Sequence, residues 1–272
     1  SAITPIAVTI DHQLQSGSGA QAEKVEKQLK EMGYGKVIVK KVVVTTESGL
    51  EAGARDARYQ ALSACAAQEK ATKIFLGHTR DDQAETVLLG LARGSGTRSL
   101  SGMAMENGIY IRPLLHITRA QTVSACKELG IDAWNDPHNG NTEFSRVRVR
   151  TEVLPLMEEK LGPGISAALA RSASILRDDA DALDEIAQSE ISTSDLTNLD
   201  CEHLSSLARA IRSRVLRAAL YAAGAPSGSI TAEHLAAVEA LVTSWRGQGE
   251  VSLPGGVKVE RISGRLSLLA QP

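Results

Sequence analysis

Three carboxylates and a histidine lie close together in the sequence, directly after a short apolar run. The run, residues 74–76, predicts a buried strand, and His78, Asp81, Asp82 and Glu85 follow it. In an open α/β sheet, ligands bind beyond the carboxyl ends of the strands, where these side chains would lie. The residues alone support equally the alternative that Asp81 and Asp82 only complement a helix dipole and that Glu85 is a solvated surface residue.

The next residues predict the helix that would position the carboxylates. Thr79 and the residues after it resemble a helix start signal. Apolar residues then recur with the spacing of one buried helix face, at Ala84, Val87, Leu88 and Leu91. A Gly/Ser loop, Arg93-Gly-Ser-Gly96, ends the helix and is flanked by Arg98.

The order of predicted elements favours an α/β fold for the first part of the chain. Strands and helices alternate as β-α-β-α-β-α, which implies a parallel sheet with right-handed crossovers. The predicted segments are a strand at residues 5–11, a helix at 21–32, a strand at 36–44, a helix at 51–69, the strand and helix just described, a strand at 110–115 and a helix at 119–129 capped by Thr118. Asp11 and His12 stand at the end of the first strand.

A glycine-rich stretch, Ser16-Gly-Ser-Gly19, resembles a phosphate-binding loop only superficially. It lacks the lysine of a Walker A loop and precedes a strongly polar helix. We therefore predict that Ser16 or Ser18 caps that helix.

Arginines alternate along one short segment as Arg146, Arg148 and Arg150. In a strand all of them would face one way, whereas in a helix Arg146 and Arg150 would share a face. The segment is either a solvated helix face that pairs with Glu143 and Glu152 or a patch that contacts phosphates. The residues alone favour the solvated face.

A Gly-Pro-Gly turn at residues 162–164 marks a change in composition and predicts two domains, 1–162 and 163–272. The second domain is rich in alanine, with predicted helices at 165–189, 201–223 and 232–242. Period-2 alternation with glycine turns at residues 249–269 predicts a small antiparallel hairpin unit.

Bulk composition excludes several classes of protein. The formal net charge is −2, so a nucleic-acid surface would have to be a local patch. Three cysteines, Cys65, Cys126 and Cys201, lie far apart without a Cys-x-x-Cys pair, which disfavours a disulfide framework, a structural zinc site and an iron–sulfur cluster. The sequence has no recognisable signal peptide or membrane span, so we expect a cytoplasmic protein with no membrane partner.

Taken together, these motifs resemble the tRNA(Ile)-lysidine synthetases, a family of the N-type ATP pyrophosphatases. The similarity is collinear over about the first two thirds of the chain, and the helical and hairpin tail resembles short actinobacterial-type members. The matching segments are Val8-Thr-Ile-Asp-His12, Gly49-Leu-Glu-Ala-Gly-Ala-Arg-Asp-Ala-Arg-Tyr59, Gly77-His-Thr-Arg-Asp-Asp-Gln-Ala-Glu-Thr86, Arg93-Gly-Ser-Gly96, Leu100-Ser-Gly-Met103, Ile111-Arg-Pro-Leu-Leu115 and Asp136-Pro-His-Asn139.

The resemblance implies a fold and a reaction. The fold would be a parallel-sheet, adenine-nucleotide hydrolase-like (PP-loop ATPase) domain, followed by a mainly helical tRNA-binding domain with a small C-terminal antiparallel β unit. The reaction would activate C2 of the wobble cytidine of tRNA(Ile) with a CAU anticodon as an adenylate. Free L-lysine would then attack to form lysidine. ATP and Mg²⁺ would be required, and self-association into a homodimer is left open.

The resemblance also implies roles for individual residues. The expected catalytic residues are Asp81, Asp82 and Glu85, with Asp81 and Asp82 as Mg²⁺ ligands or as groups that poise the lysine amine. The expected ATP or phosphate contacts are Asp11, His12, His78, Arg93, Gly94, Ser95 and Gly96. The expected tRNA contacts are Arg112, Arg146, Arg148 and Arg150. Arginines of the helix at 201–223 would help to grip tRNA or are ordinary surface charge.

The chain departs from the family pattern in one respect. A Ser-Gly-Gly-x-Asp-Ser loop, which holds the pyrophosphate of ATP in this group, does not occur. We expect that a βα unit of about 30 residues precedes Ser1 in the complete protein. The alternatives are a tRNA-binding pseudoenzyme without ATP hydrolysis and a tRNA 2-thiocytidine synthase, although the lack of paired cysteines argues against the latter.

Overall fold

The computed structural model describes residues 3–15, 17–45, 49–226 and 228–270, and it divides into two compact units. The first unit comprises residues 1–94 and 102–170, and the second comprises 95–101 and 171–272. The division after residue 170 falls inside a helix rather than at the predicted turn at 162–164. The reason is packing, because Ile165 and Leu169 on the first turns of that helix lie against the core of the first unit.

The strands and helices follow one another largely as the sequence predicts. The strands are β1 (Ile6–Asp11), β2 (Lys36–Lys41), β3 (Ile74–Phe75), β4 (Glu106–Asn107), β5 (Tyr110–Ile111), β6 (Asn198–Asp200), β7 (Val251–Ser252), β8 (Val257–Ile262) and β9 (Arg265–Ala270). The α-helices are α1 (Ser18–Glu31), α2 (Leu50–Glu69), α3 (Arg80–Ala92), α4 (Thr97–Leu100), α5 (Arg119–Glu128), α6 (Ser145–Arg148), α7 (Leu154–Leu161), α8 (Ile165–Thr193), α9 (Cys201–Ser206), α10 (Arg209–Ala222) and α11 (Ala232–Thr243). A π-helical turn, Val149–Val153, joins α6 to α7.

The first unit confirms the α/β class, but its strands form two sheets in the described part of the chain. β1 and β2 pair in parallel, from Ile6 opposite Lys36 to Asp11 opposite Lys41. In the other sheet β5 lies between β3, which is parallel to it, and β4, which is antiparallel. β5 ends at Ile111, earlier than predicted, because Pro113 has no N–H for a ladder and the chain turns there.

The buried face of α3 differs in one respect from the predicted apolar stripe. Ala84 and Val87 are buried as predicted, whereas Leu91 is 60% exposed. Glu85 is fully buried instead, so the inward face of this helix carries a carboxylate. The alternative that Glu85 is a solvated surface residue is therefore wrong.

The start of α1 corrects the predicted serine cap. Gly17 is the N-cap, in a left-handed conformation with φ 86°, and no side chain caps the helix. Ser18 is the first helical residue, and its hydroxyl donates to Asp11 instead. Ser16, the other predicted cap, lies outside the described residues.

The second unit is built from helices and a four-stranded antiparallel sheet in the order β6-β9-β8-β7. The predicted C-terminal hairpin unit is confirmed, and β6 joins its edge as a strand that the sequence did not predict. The helix predicted at 201–223 is interrupted between α9 and α10. The buried side chain of Arg212 satisfies backbone oxygens at this break, donating to Leu207 O at 2.9 Å, and it pairs with Glu239 at 2.7 Å.

Ion pairs within the second unit hold the short segment 95–101, which contains α4. Arg98 pairs with Asp181 at 2.6 Å and with Asp184, and Asp184 also accepts from Arg214 at 2.5 Å. Arg214, like Arg212, is thus engaged within the unit, which accounts for part of the arginine content of α10 without a nucleic-acid partner. Among the described residues, no helix is long and apolar enough to cross a membrane.

Gly53 tests the packing of α2, the helix that carries arginines toward the carboxyl end of β1. A Cβ atom at Gly53 would lie 1.8 Å from Thr45 O. Helix propensity alone predicts that Gly53→Ala raises the free energy of unfolding by about 1 kcal/mol. Because the backbone must shift to make room for the added Cβ, we expect instead that Gly53→Ala lowers the free energy of unfolding by about 1–3 kcal/mol. Urea denaturation measures the change.

The matched control is Gly35→Ala, since nothing among the described residues lies within 4 Å of the position of its Cβ. A Gly53→Ala protein at least as stable as the wild type would show that α2 is not held at this distance.

Candidate functional site

A cleft of about 340 Å³ opens in the first unit where β1 and β3 end. His12 directly follows β1 and His78 lies just beyond β3, so both histidines reach the cleft from carboxyl strand ends. This is the position at which open α/β sheets bind ligands. The apolar part of the lining includes Leu14, Leu50 and Phe144.

The N-terminus of α3 places Asp82 at this cleft. Thr79 and Asp82 form a capping box in which Asp82 Oδ2 accepts from Thr79 N and from Thr79 Oγ1, each at 2.8 Å. The other oxygen, Oδ1, faces Arg150 Nη2 at 3.4 Å. The capping box therefore fixes the side chain and leaves Oδ1 beside Arg150, which lines the same cleft.

Glu85 and Arg150 form a bidentate ion pair, and Arg150 also lies beside Asp82. Arg150 Nε donates to Glu85 Oε1 at 2.6 Å and Nη2 donates to Oε2 at 3.0 Å, while Arg146 lies 3.9 Å from the same carboxylate. Burial raises the pKa of Glu85 and the arginine opposes that shift, while the hydrogen bond to Glu85 raises the pKa of Arg150. The bidentate geometry favours the ionised pair.

The predicted trio of carboxylates is divided by the structure. Asp81 Oδ2 accepts from the backbone N–H of Arg119 at 2.7 Å, at the first residue of α5. Asp81 thus stabilises another helix N-terminus, whereas Asp82 and Glu85 share Arg150. In the described part of the chain no cluster of three or more His, Cys, Asp or Glu side chains is placed to hold a metal ion. The predicted Mg²⁺ role of Asp81 has no support in this geometry.

The two histidines of the cleft are held in their neutral form. Burial, followed by the charge of Arg58, lowers the pKa of His78 to about 4 and also lowers the pKa of His12. The Nδ1 atom of each ring has no hydrogen-bond partner among the described residues. Neutral imidazoles can donate from one nitrogen and accept at the other, so both rings have unused capacity to contact a ligand.

Arg55 and Arg58 were not among the predicted site residues, yet both line the cleft. They lie on one face of α2 because they are three residues apart. Their guanidinium groups lie 4.8 and 5.7 Å from the ring centroid of Tyr59. The sequence carried a signal for them in the Arg-Asp-Ala-Arg-Tyr segment of the family motif, but nothing in the spacing showed which cleft that helix would face.

The arginine segment is helical and divides the roles of its members. Arg146 and Arg150 share a face and both line the cleft, as the helical alternative required. Arg148 points elsewhere and donates to the carbonyl oxygens of Thr142 and Glu143 at 2.7 and 2.9 Å. Arg148 is exposed, and its tRNA contact stays a prediction.

Two further predicted residues are committed to the fold. Arg112 is 4% exposed, and its guanidinium donates to Ala104 O at 2.8 Å and to the hydroxyl of Tyr59 at 3.3 Å, so its predicted tRNA contact is not supported. Asp11 is 4% exposed, and its Oδ1 accepts from Gln13 N at 2.9 Å. That bond, together with the Ser18 hydroxyl, lowers the pKa of Asp11. Asp11 therefore orders the loop after β1 and leaves His12 as the residue that reaches the cleft.

The Gly/Ser loop does not lie with the histidines. Arg93 and Gly94 follow the C-terminal end of α3, about 20 Å of helix from the capping box, since α3 has 13 residues. Arg93 Nε donates to Leu89 O at 2.9 Å. Ser95 and Gly96 begin the segment that belongs to the second unit, so their phosphate-binding role stays a prediction.

The cleft has the chemistry of a site for a phosphorylated ligand. Its lining contains two carboxylates, two neutral histidines and four arginines, namely Glu51, Asp82, His12, His78, Arg55, Arg58, Arg146 and Arg150. The apolar part of the lining suits a base or a nucleoside.

Comparisons with known proteins show the family of the chain. Residues 1–157 match the family model of the PP-loop domain, and residues 199–267 match that of the TilS substrate binding domain. The chain is 51% identical to the tRNA(Ile)-lysidine synthase of Streptomyces coelicolor, covering 95% of this chain and 75% of that protein. It is 49% identical to the enzyme of the same name from Thermobifida fusca, covering 97% and 82%.

A solved structure shares the fold. The U34-tRNA thiolase NcsA from Methanococcus maripaludis, determined with its [4Fe-4S] cluster, aligns with a TM-score of 0.51 at 17% identity. The alignment covers 63% of this chain and 62% of that one.

Removing one partner of the Glu85–Arg150 pair should strongly destabilise the protein. Arg150→Met leaves a buried carboxylate without its bidentate partner, and we expect a loss of about 3–5 kcal/mol in the free energy of unfolding. The double variant Glu85→Met/Arg150→Met should recover most of that loss, because no buried charge remains. Urea denaturation of the single and double variants measures both. Equal destabilisation by the single and double variants would contradict this account.

His78 should contribute a pH dependence to stability. Because its folded-state pKa of about 4 lies below the ordinary value of 6.5, the folded protein favours the neutral ring. The stabilisation is present above pH 6.5 and is lost as the pH falls toward 4. We expect His78→Gln to remove this part of the acid destabilisation, at most about 3 kcal/mol. Parallel unfolding free-energy curves for the two proteins from pH 8 to pH 4 would refute it.

Proposed function

The chain belongs to the tRNA(Ile)-lysidine synthase family, and we propose that it ligates free lysine to C2 of the wobble cytidine of tRNA(Ile) with a CAU anticodon. It is an ATP-dependent ligase with a PP-loop domain at residues 1–157. The observation that carries the proposal is the identity of 51% with a tRNA(Ile)-lysidine synthase over 95% of the chain. The cationic cleft at the strand ends supports it independently.

The first step forms an oxygen–phosphorus bond. The C2 oxygen of cytidine attacks the α-phosphorus of ATP, the bond to the β-phosphate bridging oxygen breaks, and pyrophosphate leaves. Negative charge grows on the phosphate oxygens during this step, and guanidinium groups placed beforehand stabilise it. Arg146 and Arg150 line the cleft and are held in place by Glu51 and by Glu85.

The second step forms the carbon–nitrogen bond. The uncharged amine of lysine attacks C2, the C2–O bond breaks, and AMP leaves with the electron pair. The amine must lose a proton, and we assign its acceptance to Asp82, which lines the cleft. Its Oδ2 is held by Thr79, whereas its Oδ1 has only the longer contact of 3.4 Å with Arg150. Glu85 would act through Arg150, since its carboxylate is fully buried and its oxygens are already bonded.

Mg²⁺, when bound with ATP, would neutralise phosphate charge in the first step, and Asp82 would contact it then, before the same carboxylate accepts the amine proton in the second step. Hard oxygen donors suit this ion, and Asp82 is one of the carboxylates that line the cleft. We also propose that the enzyme acts in the cytoplasm, where its tRNA substrate is found. A homodimer stays a prediction, which sedimentation equilibrium can check.

Thiolation of the tRNA base is not favoured. Cys65 and Cys201 are buried, Cys126 is partly buried, and none of the three takes part in a disulfide. The described residues include no cysteine cluster that could hold an iron–sulfur centre.

Lysine incorporation tests the function directly. The intact protein should incorporate labelled lysine into a tRNA(Ile) transcript with a CAU anticodon, only with ATP, and not into a transcript with uridine at the wobble position. Asp82→Asn should lower kcat/KM for lysine by about a hundredfold or more, because a general base contributes that much.

Asp56→Asn is the control, since Asp56 is an exposed carboxylate on α2. Activity of Asp82→Asn within a few-fold of the wild type would remove the role of Asp82. Failure of the wild-type protein to form lysidine would contradict the proposed function and favour a tRNA-binding pseudoenzyme.

A further inference from the structure

Arg58, like Arg55 one turn earlier on α2, differs from Arg146 and Arg150 in forming no ion pair with a carboxylate in the described part of the chain. Arg150 is bonded to Glu85, and Arg146 lies 3.4 Å from a carboxylate oxygen of Glu51. Within the described part of the chain, Arg58 makes no hydrogen bond or ion pair, and its Nε is shielded from solvent without a partner. The guanidinium group lies instead near the ring of Tyr59, at 5.7 Å from the centroid.

Arg58 is partly buried, and burying a guanidinium group without a counterion costs free energy. An anionic ligand that binds to Arg58 would supply the missing counterion. The side chain is fixed by α2 and by the contact with Tyr59 rather than by a salt bridge. Its placement therefore does not depend on a protein carboxylate that an incoming anion would have to displace. Such a preorganised cation suits recognition of phosphate, whose charge it would neutralise on arrival.

The surroundings of Arg58 also favour an anion. Burial lowers the pKa of Arg58, and the positive charges of Arg55 and Arg146 lower it further, while Asp82 acts in the opposite direction. His78 and His12 line the same cleft as neutral rings with unpartnered Nδ1 atoms. A neutral ring has one N–H, and where that N–H lies on the nitrogen exposed to the cleft it can donate to a phosphate oxygen without adding positive charge.

We propose that Arg58 binds the phosphate of the adenylate and neutralises the charge that develops on it when AMP leaves. This proposal rests on the proposed function. When the nitrogen–carbon bond forms at C2, the C2–O bond breaks and its electron pair remains on the phosphate oxygen. The leaving AMP gains one negative charge, and the amine proton passes to Asp82. Arg58 lines the same cleft as Asp82, so the cation and the base act on opposite ends of one displacement.

Binding of AMP, compared with adenosine, isolates the phosphate contact. In isothermal titration calorimetry with the wild type, AMP should bind more tightly than adenosine. Arg58→Gln should weaken AMP binding by about tenfold or more, the size of a charge-assisted hydrogen bond, and leave adenosine binding within twofold. The AMP affinity of Arg58→Lys should lie between those of the wild type and Arg58→Gln, because lysine keeps the positive charge but lacks the bidentate guanidinium group. Arg246→Gln, which removes an exposed arginine of the second unit, should bind both ligands as the wild type does.

The two ligands together separate phosphate binding by Arg58 from a purely structural role. If Arg58→Gln binds AMP within twofold of the wild type, or loses AMP and adenosine equally, Arg58 has no phosphate-binding role. If circular dichroism shows that Arg58→Gln does not fold, the AMP affinity of Arg58→Lys is the test. Weaker AMP binding supports phosphate binding by Arg58, whereas unchanged AMP binding shows that the residue needs only to be a cation for structural reasons.

Turnover distinguishes the proposal from the function on which it rests. With tRNA, ATP and lysine, Arg58→Gln should slow lysine-dependent AMP release more than pyrophosphate release. Lysidine formation by the wild type together with unchanged AMP release in Arg58→Gln would overturn the role of Arg58 and leave the function standing. No lysidine from the wild type would overturn the function itself.

Discussion

The buried carboxylate of Glu85 is the constraint on which the first unit depends. A helix that points a charged group into the protein must supply a partner for it, and Arg150 does so with two hydrogen bonds. That pair ties α3 to the π-helical turn after α6, and Ala84 and Val149 pack beside it in the same core. The widened turn carries Arg150, and π-helical turns are often found at functional sites. The same interaction therefore serves folding and arranges the cations of the cleft.

The cleft combines two kinds of cation. Arg146 and Arg150 are neutralised by carboxylates of the protein and give the site its shape, whereas Arg58 is held without one. Histidines from two strand ends stay neutral because burial and neighbouring arginines disfavour their protonation. An anionic ligand would thus bind among positively charged side chains that are already held in place. Such preorganisation is what stabilises charge as it develops in a reaction.

Several residues with functional side chains contribute through the fold instead. Asp81 stabilises the start of α5, Asp11 orders the loop that presents His12, and Arg112 links Ala104 to Tyr59 beneath the arginines of α2. Each was a reasonable site candidate because it lies beside residues that do reach the cleft. Neighbours in sequence on a helix start or a strand end point in different directions, so adjacency alone does not place them in one site.

The sequence by itself determined the α/β class, the C-terminal antiparallel β unit, the helix start at Thr79 and the family of the chain. These features depend on local periodicity, capping residues and motifs, all of which are written in contiguous residues. Only the tertiary structure decided that Glu85 is buried, that Asp81 and Asp82 separate, and that Arg55 and Arg58 face the cleft. Those outcomes depend on contacts between residues far apart in the chain, such as Glu85 with Arg150. A local pattern fixes which residues share a helix face, but it does not fix what that face will meet.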